Sequence, residues 1–81
     1  MTSTMTIRLR LHGFFDHQPP AGGEWLSLQL PAGALAGEAL DRLGVPRGAV
    51  GLLLVHGQRG DTDTPLADGD SVEVFPLLGG G

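Results

Sequence analysis

The chain has no cysteine and no lysine, few aromatic residues, little positive charge and no long apolar run. Without thiols there is no disulfide frame, no thiolate metal site, no iron–sulfur cluster and no cysteine nucleophile. Without lysine, the only amine the chain offers for an isopeptide bond is its own α-amino group. Positive charge amounts to five arginines against nine acidic residues, a net charge of −4. Nucleic-acid binding draws on clustered cations, so a phosphate backbone is disfavoured as partner. No stretch approaches the roughly 18 apolar residues of a membrane span. Met1-Thr2-Ser3-Thr4 has neither the basic nor the apolar region of a secretion signal, and a soluble cytoplasmic protein with no membrane partner is expected. At 81 residues the chain makes one domain. A domain of this size buries only about 60 to 65 % of its unfolded surface, enough for one modest core and no enclosed cleft, which disfavours a stand-alone small-molecule enzyme. The histidines His12, His17 and His56 fall at loop and turn positions without convergent ligands, and no metal site is expected.

What is present reads as a small mixed fold. Met5 to Leu11 alternates apolar with polar, so Ile7, Leu9 and Leu11 point inward from a first strand. His12 to Gly23 breaks the pattern with Pro19-Pro20 and Gly22-Gly23 and reads as a loop, with Phe14 and Phe15 pinning its start. Leu26 to Leu30 resumes the alternation as a second strand, antiparallel to the first. Leu35, Ala36, Ala39, Leu40 and Leu43 share one helical stripe, and Gly44-Val45-Pro46 supplies a left-handed C-terminal residue and a stop. Gly37 costs this short helix up to about 1 kcal/mol relative to alanine, so its stability must come from packing on a sheet. Val50 to Val55 is a continuous apolar strand, His56-Gly57 a tight turn, Gln58 to Asp61 a weak edge strand, and Ser71 to Phe75 the last strand. Asp68 and Asp70 flank Gly69 as turn formers. Arg8 and Arg10 are out of phase with the core and face solvent, in position to pair with Glu73.

Two or more strands on either side of one helix suit an α+β architecture, a mixed sheet of four to five strands with the helix across one face. The first and last strands then run parallel at its centre, as in the ubiquitin-like β-grasp. One helix leaves one face uncovered. Val72 and Val74 take the core phase, which throws Phe75 to the open face beside part of the Leu52 to Val55 run, and exposed apolar patches of this kind mark interaction surfaces. Beyond the body of residues 1–76 come residues 77–81, Leu77-Leu78-Gly79-Gly80-Gly81. Three terminal glycines have no side chain to pack and lose the most entropy on ordering, so they serve no fold; they are either disordered trailing sequence or a flexible probe for another protein's narrow channel, and the second reading puts the reactive group at the Gly81 carboxylate.

The run Thr64-Pro65-Leu66-Ala67-Asp68-Gly69-Asp70-Ser71-Val72-Glu73-Val74-Phe75-Pro76, two apolar residues and the terminal glycines resemble the ubiquitin-like sulfur carriers of the MoaD/ThiS family, which includes the molybdopterin synthase small subunit and the thiamine-thiazole carrier. Leu43-Gly44-Val45-Pro46 is similar too. His56-Gly57 replaces a turn often written Asn-Gly, and Pro76-Leu77-Leu78-Gly79 differs from the tail of the molybdopterin branch. The resemblance implies a carrier rather than a stand-alone enzyme, binding no cofactor itself. An adenylating enzyme of the ubiquitin-activating type would use ATP to convert the Gly81 carboxylate to an acyl-adenylate, and sulfur from a persulfide or sulfide would displace AMP to leave a thiocarboxylate. Phe75, Pro76, Leu77, Leu78, Gly79 and Gly80 would contact the partners. The acceptor leans to the large subunit of molybdopterin synthase. The alternatives are a modifier forming isopeptide bonds through Gly81 and a non-catalytic β-grasp binding module.

Overall fold

In the computed structural model, which describes residues 3–12 and 25–77, the alternating N-terminal segment forms strand β1, Thr4–Leu11. Met5, Ile7, Leu9 and Leu11 are all buried, as the period of two requires. β2, Leu26–Pro31, runs antiparallel to β1, with Leu30 opposite Met5 and Leu26 opposite Leu9. The loop expected between them, with Phe14, Phe15 and His17, lies outside the described residues beyond His12.

β3 is Val50–Val55, β4 is Gln58–Gly60 and β5 is Ser71–Pro76. β5 lies parallel to β1 and antiparallel to β3, and β4 closes the far edge antiparallel to β3. The sheet order is therefore β2-β1-β5-β3-β4, a mixed five-stranded sheet with its first and last strands adjacent and parallel. This is the ubiquitin-like β-grasp. The turn between β3 and β4 has positive φ at both His56 (52°) and Gly57 (76°), the backbone that suits the right-handed twist of a two-residue hairpin.

Helix α1, Ala36–Leu43, the one α-helix among the described residues, buries Ala36, Ala39 and Leu40 completely against the sheet, and Leu43 packs against the same core. Its start lacks a side-chain cap. Backbone carbonyls serve instead: the N–H groups of Ala36 and Gly37 donate to Thr64 O and Thr62 O, each at 2.9 Å. The accepting carbonyls are held in place by a tight turn in which the Thr64 hydroxyl accepts from Asp61 N–H at 2.9 Å. At the other end Gly44 is left-handed, and Val45 N–H returns to Leu40 O at 3.0 Å with the Val45 side chain buried. That is the C-terminal geometry expected from Gly44-Val45-Pro46.

Two local features go beyond the sequence reading. Pro46 leads into a 3₁₀ turn at Arg47–Ala49, which carries the chain from α1 into β3. Gly37, read as a cost to the helix, makes room for Arg47: a Cβ there would lie 2.6 Å from the Arg47 guanidinium carbon. From that berth the guanidinium donates to both carboxylate oxygens of Asp41, at 3.2 and 2.9 Å. The hydrogen bond and charge of Arg47 hold the Asp41 carboxyl below its ordinary pKa. A depressed carboxylate adds stability above its unfolded pKa and loses it as pH falls through the folded one; with both partners about half exposed the contribution is small.

The Asp68–Asp70 turn is built as its residue types suggest. Asp68 accepts from Thr6 N–H and Asp70 from Ala67 N–H, both at 2.8 Å, and Gly69, at φ 86°, donates to Thr6 O. These bonds tie the start of β5 to β1 and set the parallel register. Leu40 is the helix's main anchor, at 0 % exposure. Leu40→Ala is expected to destabilise the protein by about 2–5 kcal/mol in urea unfolding with an unchanged m-value; a loss under about 1 kcal/mol would mean that α1 does not rest on this core.

Candidate functional site, the uncovered sheet face and the root of the tail

With α1 on one face, the residues out of phase with the core line the other, which no helix among the described residues covers and which is called open or uncovered in that sense. Register builds this face in rows. Arg8 stands opposite Ser27 on β2 and Ser71 on β5. In the next row Arg10 is opposite Glu73, Glu73 opposite Leu54, and Leu54 opposite Arg59. In the third, Phe75 is opposite Leu52, with the His12 ring beside it. Phe75 is thus on the open face, half-buried, opposite Leu52, with Leu54 in the adjacent row.

His12 is the residue of this face that loop composition concealed. Its N–H donates to Val74 O at 2.9 Å, extending the β1–β5 ladder by one residue, and its ring stacks on Phe75 with centroids 4.2 Å apart and planes 3° apart. Its Nε2 lies 3.0 Å from Glu73 Oε1, each side chain about a quarter exposed. A carboxylate only accepts, so Nε2 carries the proton. Glu73 is accordingly engaged by His12 rather than by Arg8 or Arg10. Those two guanidinium groups lie over the Trp25 ring instead, 5.2 and 5.8 Å from its centroid. A guanidinium is weakly hydrated and attracted to an aromatic face, so stacking competes with an exposed ion pair. Trp25 is 39 % exposed. The sequence signal for it was its position just before an alternating strand, one residue out of the core phase.

The root of the tail sits at the corner of this face. Pro76 was expected to stop the last strand but is its final rung, buried and opposite Val50. A proline lacks a ladder donor and is tolerated beside a bulge. The bulge is at Gly51, where the β3–β5 register shifts between Val50 and Leu52. The backbone of Pro76 and Leu77 lies directly on Gly51: a Cβ there would meet Leu77 Cα and Pro76 O, both at 2.8 Å. Leu77 N–H donates to Ala49 O at 2.8 Å, while the Leu77 side chain is 61 % exposed. Backbone is fixed up to Leu77, and its side chain is presented outward. Phe75, Pro76 and Leu77 meet at this corner. The other expected site residues, Leu78, Gly79, Gly80 and Gly81, lie outside the described residues.

A hollow of about 190 Å³ lies next to the bulge, bordered by Arg47, Gly51, Leu53 and Asp61. Small-molecule pockets run to roughly 300–1,000 Å³, so it is no substrate cleft. Among the described residues no group of three histidines or carboxylates is placed to hold a metal ion, and no helix is long and apolar enough to cross a membrane.

The corner generates a test. Gly51→Ala forces backbone apart from backbone, and is expected to cost about 1–3 kcal/mol and to abolish hydrogen-exchange protection at the Leu77 amide. Unchanged protection would show that the bulge does not set the tail's root.

Among curated proteins none matches this chain. Solved structures do. The chain is similar to the Haloferax volcanii HVO 2177 protein, with 25 % identity over 96 % of this chain and 88 % of that one and a TM-score of 0.76. It is similar in fold to a protein described as molybdopterin converting factor, subunit 1, from Pyrococcus furiosus, at 19 % identity over 91 % and 99 % of the two chains and a TM-score of 0.72. A likeness in fold also links it to small archaeal modifier protein 1 of H. volcanii, at 17 % identity over 91 % and 99 % and a TM-score of 0.74. The resemblance to MoaD-type carriers read from the C-terminal third thus meets a shared ubiquitin-like fold. The family model described as Mut7-C ubiquitin matches residues 2–79, and the chain belongs to that family.

Proposed function

We propose that this chain is a ubiquitin-like sulfur carrier whose reactive group is the main-chain carboxylate of Gly81. The observation that carries the reading is the corner where Leu77 leaves the sheet: backbone held at Gly51 and Ala49, an aromatic and apolar patch alongside, and a sequence continuing into Leu78-Gly79-Gly80-Gly81. Four extended residues reach at most about 14 Å, the scale of a narrow channel into a partner's interior. Glycine at positions 79 to 81 leaves no side chain to obstruct such a channel.

The chemistry asks nothing of a side chain. An α-carboxyl with an ordinary pKa of about 3.3–3.7 is ionised at neutral pH and nucleophilic through oxygen. Its attack on the α-phosphate of ATP, held by an adenylating enzyme of the ubiquitin-activating type, expels pyrophosphate and leaves an acyl-adenylate. A hydrosulfide then attacks the carbonyl carbon, AMP departs, and a thiocarboxylate remains on Gly81. ATP belongs to the partner, and this chain binds no cofactor. Phe75, Pro76, Leu77 and Leu78 supply contact area that offsets the entropy lost when the tail is ordered. The sulfur acceptor is an enzyme of the molybdopterin synthase large-subunit type, a lean supported by the Asp68-Gly69-Asp70 to Phe75-Pro76 stretch; thiamine-type transfer is the neighbouring branch. The setting is the cytoplasm.

Deletion of Gly81 separates this reading from a binding module with an inert tail. Thermal unfolding is expected to be unchanged while ATP–pyrophosphate exchange by the cognate activating enzyme falls to background. An unaltered exchange rate would refute Gly81 as the site, and covalent adducts on other proteins' lysines would redirect the activated carboxyl to protein modification.

A further inference from the structure

Among the described residues, the charges carried by the strands and by α1 are sorted by face, with Asp68 and Asp70 held in the turn before β5. Of five arginines, Arg8, Arg10 and Arg59 share the rows of the uncovered sheet face, in a chain whose net charge is −4. Among the described residues the only carboxylate in those rows is Glu73, and His12 engages it. Glu38 and Asp41 belong to α1, and Asp61 and Asp63 to the loop that holds the start of α1. Arg47 is consumed by Asp41.

Among the described residues, the cations of the open face are also without carboxylate partners. Among the described residues neither Arg8 nor Arg10 forms an ion pair, and the buried Arg10 Nε has no hydrogen-bond partner. Both guanidinium groups rest on Trp25, itself 39 % exposed. A tryptophan flanked by two arginines combines the residue types that dominate binding energy at protein interfaces, and it is held ready by stacking.

From this segregation we infer that the uncovered face docks on an acidic surface of a protein partner, with Trp25, Arg8 and Arg10 as the charged anchor and Phe75 as the apolar contact nearest the tail. Resting on the reading above, it gives the activating enzyme a carboxylate-bearing docking site next to the mouth of its tail channel. A polynucleotide fits less well. Three guanidinium groups on an acidic body cannot neutralise a run of phosphates, and Leu52, Leu54 and Phe75 ask for apolar area that a phosphate backbone lacks. Opposite charge on the two surfaces speeds encounter by steering, an effect that salt screens.

The test is the rate of adenylation at two salt concentrations. Arg8→Glu combined with Arg10→Glu is expected to lower kcat/KM for the activating enzyme by about tenfold or more at low salt, with kcat little changed and the deficit shrinking at high salt. Arg8→Gln with Arg10→Gln, which spares the fold from new charge, is expected to show an intermediate loss, and Arg42→Glu, on α1, none. Wild-type adenylation with a double reversal that is indifferent, or equally impaired at all salt concentrations, overturns the docking surface and leaves the carrier reading standing. Absence of wild-type adenylation overturns the carrier reading instead. The surface is then read from Trp25, the chain's single tryptophan, by its emission on titration with polyglutamate and with a uridine oligonucleotide. A response to polyglutamate that the double reversal removes supports an acidic protein partner; a response to the oligonucleotide alone, or to neither, overturns it.

Discussion

One helix can cover only one face of a five-stranded sheet, and the rest of this molecule follows from how that imbalance is used. The covered face takes Ile7, Leu9, Leu30, Leu40, Val72 and Val74 out of water and supplies the stability. The other face is released from packing duty. Arginines, a tryptophan, a histidine–phenylalanine stack and two leucines lie there together. The hollow beside the bulge is smaller than a typical small-molecule pocket, which turns attention to the surface and to the root of the tail. Here the surface and the end adjoin.

The join between them is a backbone contact. Gly51 lets the chain at Pro76 and Leu77 lie against β3 more closely than any side chain would permit, and Ala49 accepts the last hydrogen bond. A terminal segment anchored this way starts from a defined point and direction relative to Phe75 and the open face. That matters for a carrier, because a partner must grip the body and receive the tail in one binding event. On the proposed reading, docking on the face would bring the residues after Leu77 to the partner's channel at high effective concentration, without a second encounter.

Much of this was legible in the sequence because its signals are local and periodic. The alternation in Met5–Leu11 and Ser71–Phe75 fixed which side chains face inward, and with Val72 and Val74 committed to the core, Phe75 had to point outward. Gly44-Val45-Pro46 ended the helix as its chemistry dictates. The features that escaped depend on residues far apart in the chain. His12 looked like the first residue of a loop; its role depends on β5, and its partner Glu73 is 61 residues away. Gly51 looked like one more residue of an apolar run, because a bulge is visible only once both strands are paired. Gly37 read as a flaw in the helix until Arg47 came into contact with it. Trp25 gave a signal only through phase, and its arginine neighbours come from another strand.

The central claim is that the body exists to present a main-chain acid to an activating enzyme, and its most direct test is the mass of that acid. Intact-protein and C-terminal-peptide mass spectrometry on the chain purified from its own cells should find a fraction in which Gly81 ends the chain with one carboxyl oxygen replaced by sulfur. A Gly81 carboxylate that stays unmodified in cells containing the activating enzyme, or a chain that continues past Gly81 with no carboxyl there to activate, would contradict it.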